Sequence, residues 1–207
     1  LAIALVVGGV VLWSTYNKAP LPIDDRCVAI AGGNTATIDP AQAHYASIIA
    51  GMTIKRDLAP RAASIALATA YQESGIRNLD YGHADSIGLF QQRPSKGWGT
   101  IEEIMDPWYS AREFYRAMER IDDWENKDIN DVAQAVQRSA YPDAYRRHET
   151  NARTLASSLT GETPASFRCQ VAAPNTADPD GMGRLLTKTL GADNVSIKAV
   201  GGELTVT

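Results

Sequence analysis

The sequence predicts a mostly α-helical domain over residues 39–161. One observation is a set of helix-start signals. Aspartate and proline mark such starts, because aspartate caps free backbone amides and proline is tolerated in the first helical turn. These starts lie at Asp39-Pro40, Pro60, Asp106-Pro107 and Asp128. The other is that apolar residues after each start recur every three to four positions, the spacing of one helix face. A stretch rich in glycine, asparagine and proline at 76–100 predicts instead a loop with a small β-hairpin.

The helices follow in order along the domain. The first is expected over 40–55 and the second over 60–74, where the run 62–70 is apolar on nearly all sides and predicts burial on most faces. Gly75 supplies the left-handed stop that often ends a helix. Later helices are expected from 107, from 129 and from 142, the last ending before Gly161.

The segments outside the domain differ in composition. Residues 18–38 and 162–180 are rich in proline, threonine, asparagine and aspartate, which predicts linkers. Residues 181–207 predict a short helix and two strands around Gly201-Gly202, a hairpin turn signal. One helix and two strands bury too little apolar surface to form a stable core. This segment is therefore interpreted as the start of a small α/β module that the sequence truncates.

The first thirteen residues carry no charged side chain. A bilayer span needs about 20 apolar residues, so residues 1–17 fit part of a membrane anchor, with Trp13 and Tyr16 at the interface. The apolar core of a signal peptide and a buried helix are the alternatives. An anchor or a signal peptide places the domain outside the cytoplasm, and the anchor predicts a single-pass protein of the cell membrane.

The net charge and the cysteines limit the kinds of ligand and the cellular compartment that fit this chain. The 207 residues carry a net charge of −4, which offers no basic face for nucleic acid. Cys27 and Cys169 bracket the domain, and a lone pair in an exported chain usually forms a disulfide. Two unrelated buried thiols are the alternative. His83 has no second ligand at a recognisable spacing, so no metal site is predicted.

Glu73 is the first candidate for chemistry, because it ends a helix that is otherwise apolar. Burial disfavours the ionised carboxylate and raises its pKa. The negative end of the helix dipole acts in the same direction. Together they predict a glutamic acid that is protonated near neutral pH, as a general acid must be. A solvent-exposed glutamate in a fraying last turn is the alternative.

A second pattern follows the first within about a dozen residues. Tyr-Gln-Glu-Ser-Gly at 71–75 precedes Asp-Ser-Ile-Gly-Leu-Phe-Gln-Gln at 85–92. This pair resembles the lytic transglycosylases of the lysozyme-like superfamily, which are related to goose-type lysozymes. The order and spacing match over 39–159, and the stretch 91–99 resembles a group of actinobacterial exported proteins of the same superfamily. The resemblance implies a lysozyme-like fold in which the hairpin forms one wall of a saccharide cleft.

The resemblance also implies roles for single residues. Glu73 is the catalytic acid and base, Ser74 orients the site, and Gln91 contacts the substrate. The family's Ala-Tyr-Asn segment has no clear match here, so its tyrosine falls on either Tyr141 or Tyr145. From its place in a glycine-rich loop, Trp98 is a further candidate, either stacking on a sugar face or packing in the core.

The implied activity is cleavage of the β-1,4 bond between N-acetylmuramic acid and N-acetylglucosamine in peptidoglycan, with no cofactor. Glycosidases that use two carboxylates need a partner for the acid, and the nearest in sequence are Asp80 and Asp85, neither on a rigid element. A lytic reaction needs no such partner and is favoured. A catalytically weak peptidoglycan-binding module of a cell-envelope complex, with protein partners there, is the alternative function. An inhibitor or adhesin of the same fold is a third.

Overall fold

The computed structural model describes residues 25–172, 178–200 and 203–206. Within these residues the chain forms seven α-helices and two antiparallel sheets, which confirms the mostly helical prediction. The helices are α1 Pro40–Lys55, α2 Pro60–Ser74, α3 Ile101–Met105, α4 Pro107–Met118, α5 Ile129–Gln137, α6 Glu149–Leu159 and α7 Pro179–Leu190. The strands are β1 Arg26–Ala31, β2 Asn34–Ile38, β3 Phe167–Gln170, β4 Ile197–Val200 and β5 Glu203–Val206.

Helix α2 lies at the centre of the domain and contacts α1, α5 and α6. Every residue from Ala62 to Ala70 is buried, as the apolar run predicts. Most of these side chains are alanines, whose small size lets the neighbouring helices approach closely. Gly75 ends the helix in the left-handed conformation, with φ of 65°, so the predicted stop is confirmed.

A three-stranded sheet in the order β2-β1-β3 joins the two ends of the domain. Strands β1 and β2 form a hairpin around Gly32-Gly33, and both glycines have positive φ. Cys27 in β1 lies opposite Cys169 in β3 and forms a disulfide with it, with 3.9 Å between the Cα atoms. The predicted disulfide is therefore confirmed.

The predicted linkers are wrong where these strands lie. The range 18–38 contains β1 and β2, and the range 162–180 contains β3. Cys27, Ala29 and Ala31 alternate with less buried neighbours, so one face of β1 packs on the domain. Polar composition predicted loops, but the alternation of small buried residues and cross-strand pairing decided the conformation.

Three elements between the helices also differ from the prediction. Helix α3 was not expected, although Thr100 and Glu103 form a capping box at its start. Helix α6 begins at Glu149 rather than near Pro142, because residues from 139 to 148 form turns and a short 3-10 helix. The hairpin beside the cleft is reduced to a single bridge between Ile87 and Gln92.

The C-terminal residues form the predicted helix and strand pair. Helix α7 packs on α1 at Gly51, where a Cβ atom would overlap the methyl group of Thr189. The indole nitrogen of Trp108 donates a 3.0 Å hydrogen bond to the Thr189 hydroxyl, and the Lys188 ammonium lies 3.6 Å from the centre of the Trp108 ring. Trp108 is thus a packing residue between α4 and α7. That this segment begins a further module stays a prediction.

In the described ranges, no helix is both long enough and apolar enough to cross a bilayer. The anchor predicted over 1–17 lies outside the described residues.

Candidate functional site

Glu73 lies in the last turn of α2, and its carboxylate is held by a neighbouring side chain. The hydroxyl of Tyr145 donates a 2.8 Å hydrogen bond to its Oε1 atom. The side chain is half-buried rather than frayed into solvent. The alternative of an exposed glutamate in a loose helix end is therefore excluded by the geometry.

The electrostatics of Glu73 follow from this placement. Burial raises the pKa of the Glu73 carboxyl above its ordinary value, while hydrogen bonds from Tyr145 and Gln137 lower it by a smaller amount. The opposing effects are expected, because burial penalises the ionised form and hydrogen-bond donors stabilise it. Burial, together with the Glu73 carboxylate, raises the pKa of the Tyr145 phenol. Tyr145 therefore remains a hydrogen-bond donor at neutral pH.

Two hydrogen bonds of Asn130, the Asn130 clamp, hold the turn that carries Tyr145. The sequence did not reveal this arrangement. Tyr145 lies at the end of the turn that precedes α6, and its side chain is buried. Asn130 of α5 holds this turn from both sides: its amide nitrogen donates to the Pro142 carbonyl at 2.9 Å, and its amide oxygen accepts from the Arg146 backbone at 3.2 Å. Asn130 itself is buried. The clamp fixes where the Tyr145 phenol points.

Two side chains hold the short segment 89–90 between the ends of α2 and α5. Ser74 donates a 2.7 Å hydrogen bond from its hydroxyl to the Leu89 carbonyl. Gln137, at the end of α5, donates from its amide to the Phe90 carbonyl at 2.7 Å. Ser74 thus fixes the loop beside Glu73. Gln137 is a residue of the candidate site that the sequence analysis missed.

A groove of about 940 Å³ opens in front of Glu73. The loop 76–100 supplies one part of its lining, and α4, α5 and the turns that follow them supply the other. The lining residues are Glu73, His83, Ser86, Gln91, Arg93, Lys96, Gly97, Trp98, Glu113, Ala117, Arg120, Ile121, Ala135, Val136, Gln137, Arg138 and Ser139. Glu73, Gln91 and Trp98, which the sequence analysis singled out separately, therefore lie in one groove.

Gln91 is held in place by its backbone and by its amide. Its φ is 48°, in the left-handed region that few residues other than glycine adopt. The amide nitrogen donates to the carbonyls of Tyr81 and Gly88 at 3.2 and 3.3 Å. Gly82 lies against the amide oxygen so closely that a Cβ there would overlap it. Strained backbone of this kind persists where the surroundings fix it, often at functional sites.

The structure separates the two candidate tyrosines. Tyr145 contacts Glu73, whereas Tyr141 is 73% exposed and does not line the groove. Trp98 is partly buried, packing on the core with one part of its surface and lining the groove with another. Among the described residues, no group of three or more His, Cys, Asp or Glu side chains could hold a metal ion.

Asp85, close to the groove, is paired with a cation. Asp85 accepts from the Arg93 guanidinium at 2.6 Å and from the Ser95 backbone at 2.8 Å, and these hydrogen bonds hold its pKa well below the ordinary value. Neither Asp80 nor Asp85 lines the groove. The second lining carboxylate is instead Glu113, which sequence order had not suggested.

Comparison with known proteins adds no family assignment. No protein-family model matches the chain, and no curated protein matches it.

Proposed function

We propose that this chain cleaves the β-1,4 bond between N-acetylmuramic acid and N-acetylglucosamine in peptidoglycan, as a lytic transglycosylase with a lysozyme-like fold. The observation that carries the proposal is Glu73: a half-buried carboxyl with a raised pKa, oriented by Tyr145, at a groove long enough to be lined by a loop and two helices. The resemblance of 71–75 and 85–92 to that family supports it.

In the first step Glu73 acts as general acid. Because Oε1 accepts from Tyr145, the proton of the neutral acid sits on Oε2. That proton passes to the glycosidic oxygen as its bond to C1 of the muramic residue breaks. The carbonyl oxygen of the substrate's own N-acetyl group bonds to C1, giving an oxazolinium ion, so no protein nucleophile is needed.

In the second step the Glu73 carboxylate acts as base. It takes the proton from the muramic 6-hydroxyl while O6 bonds to C1 and the bond from the acetyl oxygen to C1 breaks. The products are a 1,6-anhydromuramic end and a free 4-hydroxyl on the leaving N-acetylglucosamine. Tyr145 stabilises the carboxylate that exists between the two proton transfers.

The Cys27–Cys169 disulfide supports an oxidising compartment, where such bonds persist. This supports the proposal that the domain lies on the extracytoplasmic side of the cell membrane. The apolar run in 1–17 is the reason to propose a single-pass anchor. The domain's partner there is the glycan strand, with further cell-envelope proteins, and the chemistry calls for no cofactor and no nucleic acid.

The deciding experiment is zymography on purified cell wall with the wild-type chain and Glu73→Gln. Glutamine keeps the shape and still accepts from Tyr145, but it cannot donate the proton. Wild type should clear the wall and Glu73→Gln should not, whereas Glu162→Gln, which removes an exposed carboxylate outside the groove, should clear it normally. Wall binding without clearing by any of the three would favour a binding or scaffold module instead.

A further inference from the structure

The groove carries a charge opposite to that of the chain. The whole sequence has a net charge of −4, yet four basic side chains and two acidic ones line the groove. The basic ones are Arg93, Lys96, Arg120 and Arg138, and the acidic ones are Glu73 and Glu113. The groove therefore concentrates positive charge on a chain that is acidic overall, which raises the question of what this charge binds.

The acidic groups of the groove are compensated inside the protein. Glu113 accepts from the Arg112 guanidinium at 2.9 Å and from that of Arg116 at 3.0 Å. Asp85, just outside the lining, is the partner of Arg93. The burial of Glu73 favours its neutral form. None of these carboxylates is therefore available to balance the remaining cations.

Lys96, Arg120 and Arg138 have no ion-pair partner among residues 25–172, 178–200 and 203–206. All three side chains are exposed. They lie on both sides of the groove, since Lys96 belongs to the loop 76–100 while Arg120 and Arg138 follow the ends of α4 and α5. Arg138 ends α5 in the left-handed conformation, with φ of 52°.

These three cations do not account for the pKa of Glu73. None of the three is among the causes that shift the pKa of Glu73, which are burial, Tyr145 and Gln137. A neutral sugar chain gives them no counter-charge either. An anionic group on the substrate, close to the bond in front of Glu73, would supply that counter-charge.

We propose that Lys96, Arg120 and Arg138 bind the free carboxylates of the stem peptides on peptidoglycan, so that the groove selects strands with charged stems. This inference rests on the proposed function and names the substrate class of the same groove. The lactyl group of each muramic residue carries the stem, so a strand bound across Glu73 extends stems toward the groove walls. Arginine and lysine both pair with carboxylates, and arginine can do so with two hydrogen bonds.

The test measures binding, so that it does not depend on cleavage. The full chain carrying Glu73→Gln is titrated with soluble glycan fragments by calorimetry. Four fragments are compared: native stems, stems whose carboxylates are amidated, strands stripped of stems by an amidase, and stripped strands that retain a phosphodiester-linked wall polymer. Arg120→Gln and Lys96→Gln are then added in the same background, with Arg153→Gln on α6 as an exposed, groove-distant control.

Native stems should bind most tightly, and each groove substitution should weaken that binding about two- to fivefold while Arg153→Gln does not. The preference should also fall with added salt. Equal affinity for native and amidated stems, a preference that follows the phosphate polymer, or equal effects of Arg120→Gln and Arg153→Gln would each overturn the inference. Absence of cleavage by wild type would instead reject the proposed reaction while leaving the binding result to stand.

Discussion

The phenol of Tyr145 lies 2.8 Å from Oε1 of Glu73, although 72 residues separate the two in sequence. This bond joins the last turn of α2 to the turn before α6, and the Asn130 clamp fixes its direction. It orients the carboxyl in both protonation states, because Oε1 can accept while Oε2 either carries or lacks a proton.

We expect Tyr145→Phe to lower kcat/KM by about tenfold or more, the size of one hydrogen bond to a charged group. Since the phenol lowers the pKa of Glu73, its loss should raise that pKa further. The acid then stays protonated to higher pH, so the alkaline limb of the pH profile of kcat/KM should move upward. Tyr141→Phe, at the exposed alternative, should behave as wild type. A limb that stays in place would contradict the assigned contact.

The raised pKa of Glu73 also predicts a pH dependence of stability. The folded carboxyl binds its proton more tightly than the unfolded one, whose pKa is about 4.3. Stability from this group is therefore present at pH 4 and is lost as pH rises through the folded pKa, where the buried carboxylate ionises. Glu73→Gln removes that cost, so its Tm should exceed that of wild type by more at pH 8 than at pH 4. An equal difference at both pH values would contradict the burial argument.

The sequence predicted those parts of the site whose structure depends on residues close to one another along the chain. The apolar run of α2, its stop at Gly75 and the polar loop after it are enough to place Glu73 at a helix end. The choice between Tyr141 and Tyr145 could not be made, because it depends on how Asn130 of another element holds the turn and on a contact with Glu73 across 72 positions. The β1–β2 hairpin carried a usable signal in Gly32-Gly33, a pair typical of hairpin turns. The surrounding polar residues nevertheless led to a linker prediction.

Gly82 should be needed for the position of Gln91. A Cβ at Gly82 would overlap the Gln91 amide oxygen and lie 2.5 Å from the Ser86 carbonyl oxygen. Gly82→Ala is therefore expected to lower kcat/KM to the level of Gln91→Ala, with a stability loss of about 1–3 kcal/mol from overpacking. The double variant should be no worse than Gln91→Ala alone, because both act on one side chain. Fully multiplicative losses in steady-state kinetics would show that Gly82 acts elsewhere.

The disulfide is expected to stabilise the domain without acting in the groove. It closes a sequence separation of 142 residues, and neither cysteine lines the groove. Cys27→Ser with Cys169→Ser should therefore lower the free energy of unfolding by about 2–5 kcal/mol, while activity at 25 °C is kept. Thermal unfolding with and without reductant provides the check, since reductant should lower the Tm of wild type only. A Tm that does not respond in either protein would contradict the prediction.

The second carboxylate of the groove decides between the two reaction classes. A hydrolase with two carboxylates needs an ionised partner about 5–5.5 Å or 6.5–9.5 Å from the acid. Glu113 is the candidate in the lining, but Arg112 and Arg116 hold its Oε1 atom, which suits an ion-pair role. For a lytic reaction, Glu113→Gln should keep kcat/KM within about threefold of wild type.

The products give an independent measure of the same choice. Lytic cleavage leaves 1,6-anhydromuramic ends, which are lighter by one water than the reducing ends of hydrolysis, so mass spectrometry of digests separates them. We expect anhydro ends from both wild type and Glu113→Gln. Reducing muramic ends, together with a loss of activity in Glu113→Gln as deep as that in Glu73→Gln, would assign Glu113 as the partner of a two-carboxylate hydrolase. Reducing ends with full activity in Glu113→Gln would indicate hydrolysis in which the substrate's acetyl group assists and water replaces the 6-hydroxyl.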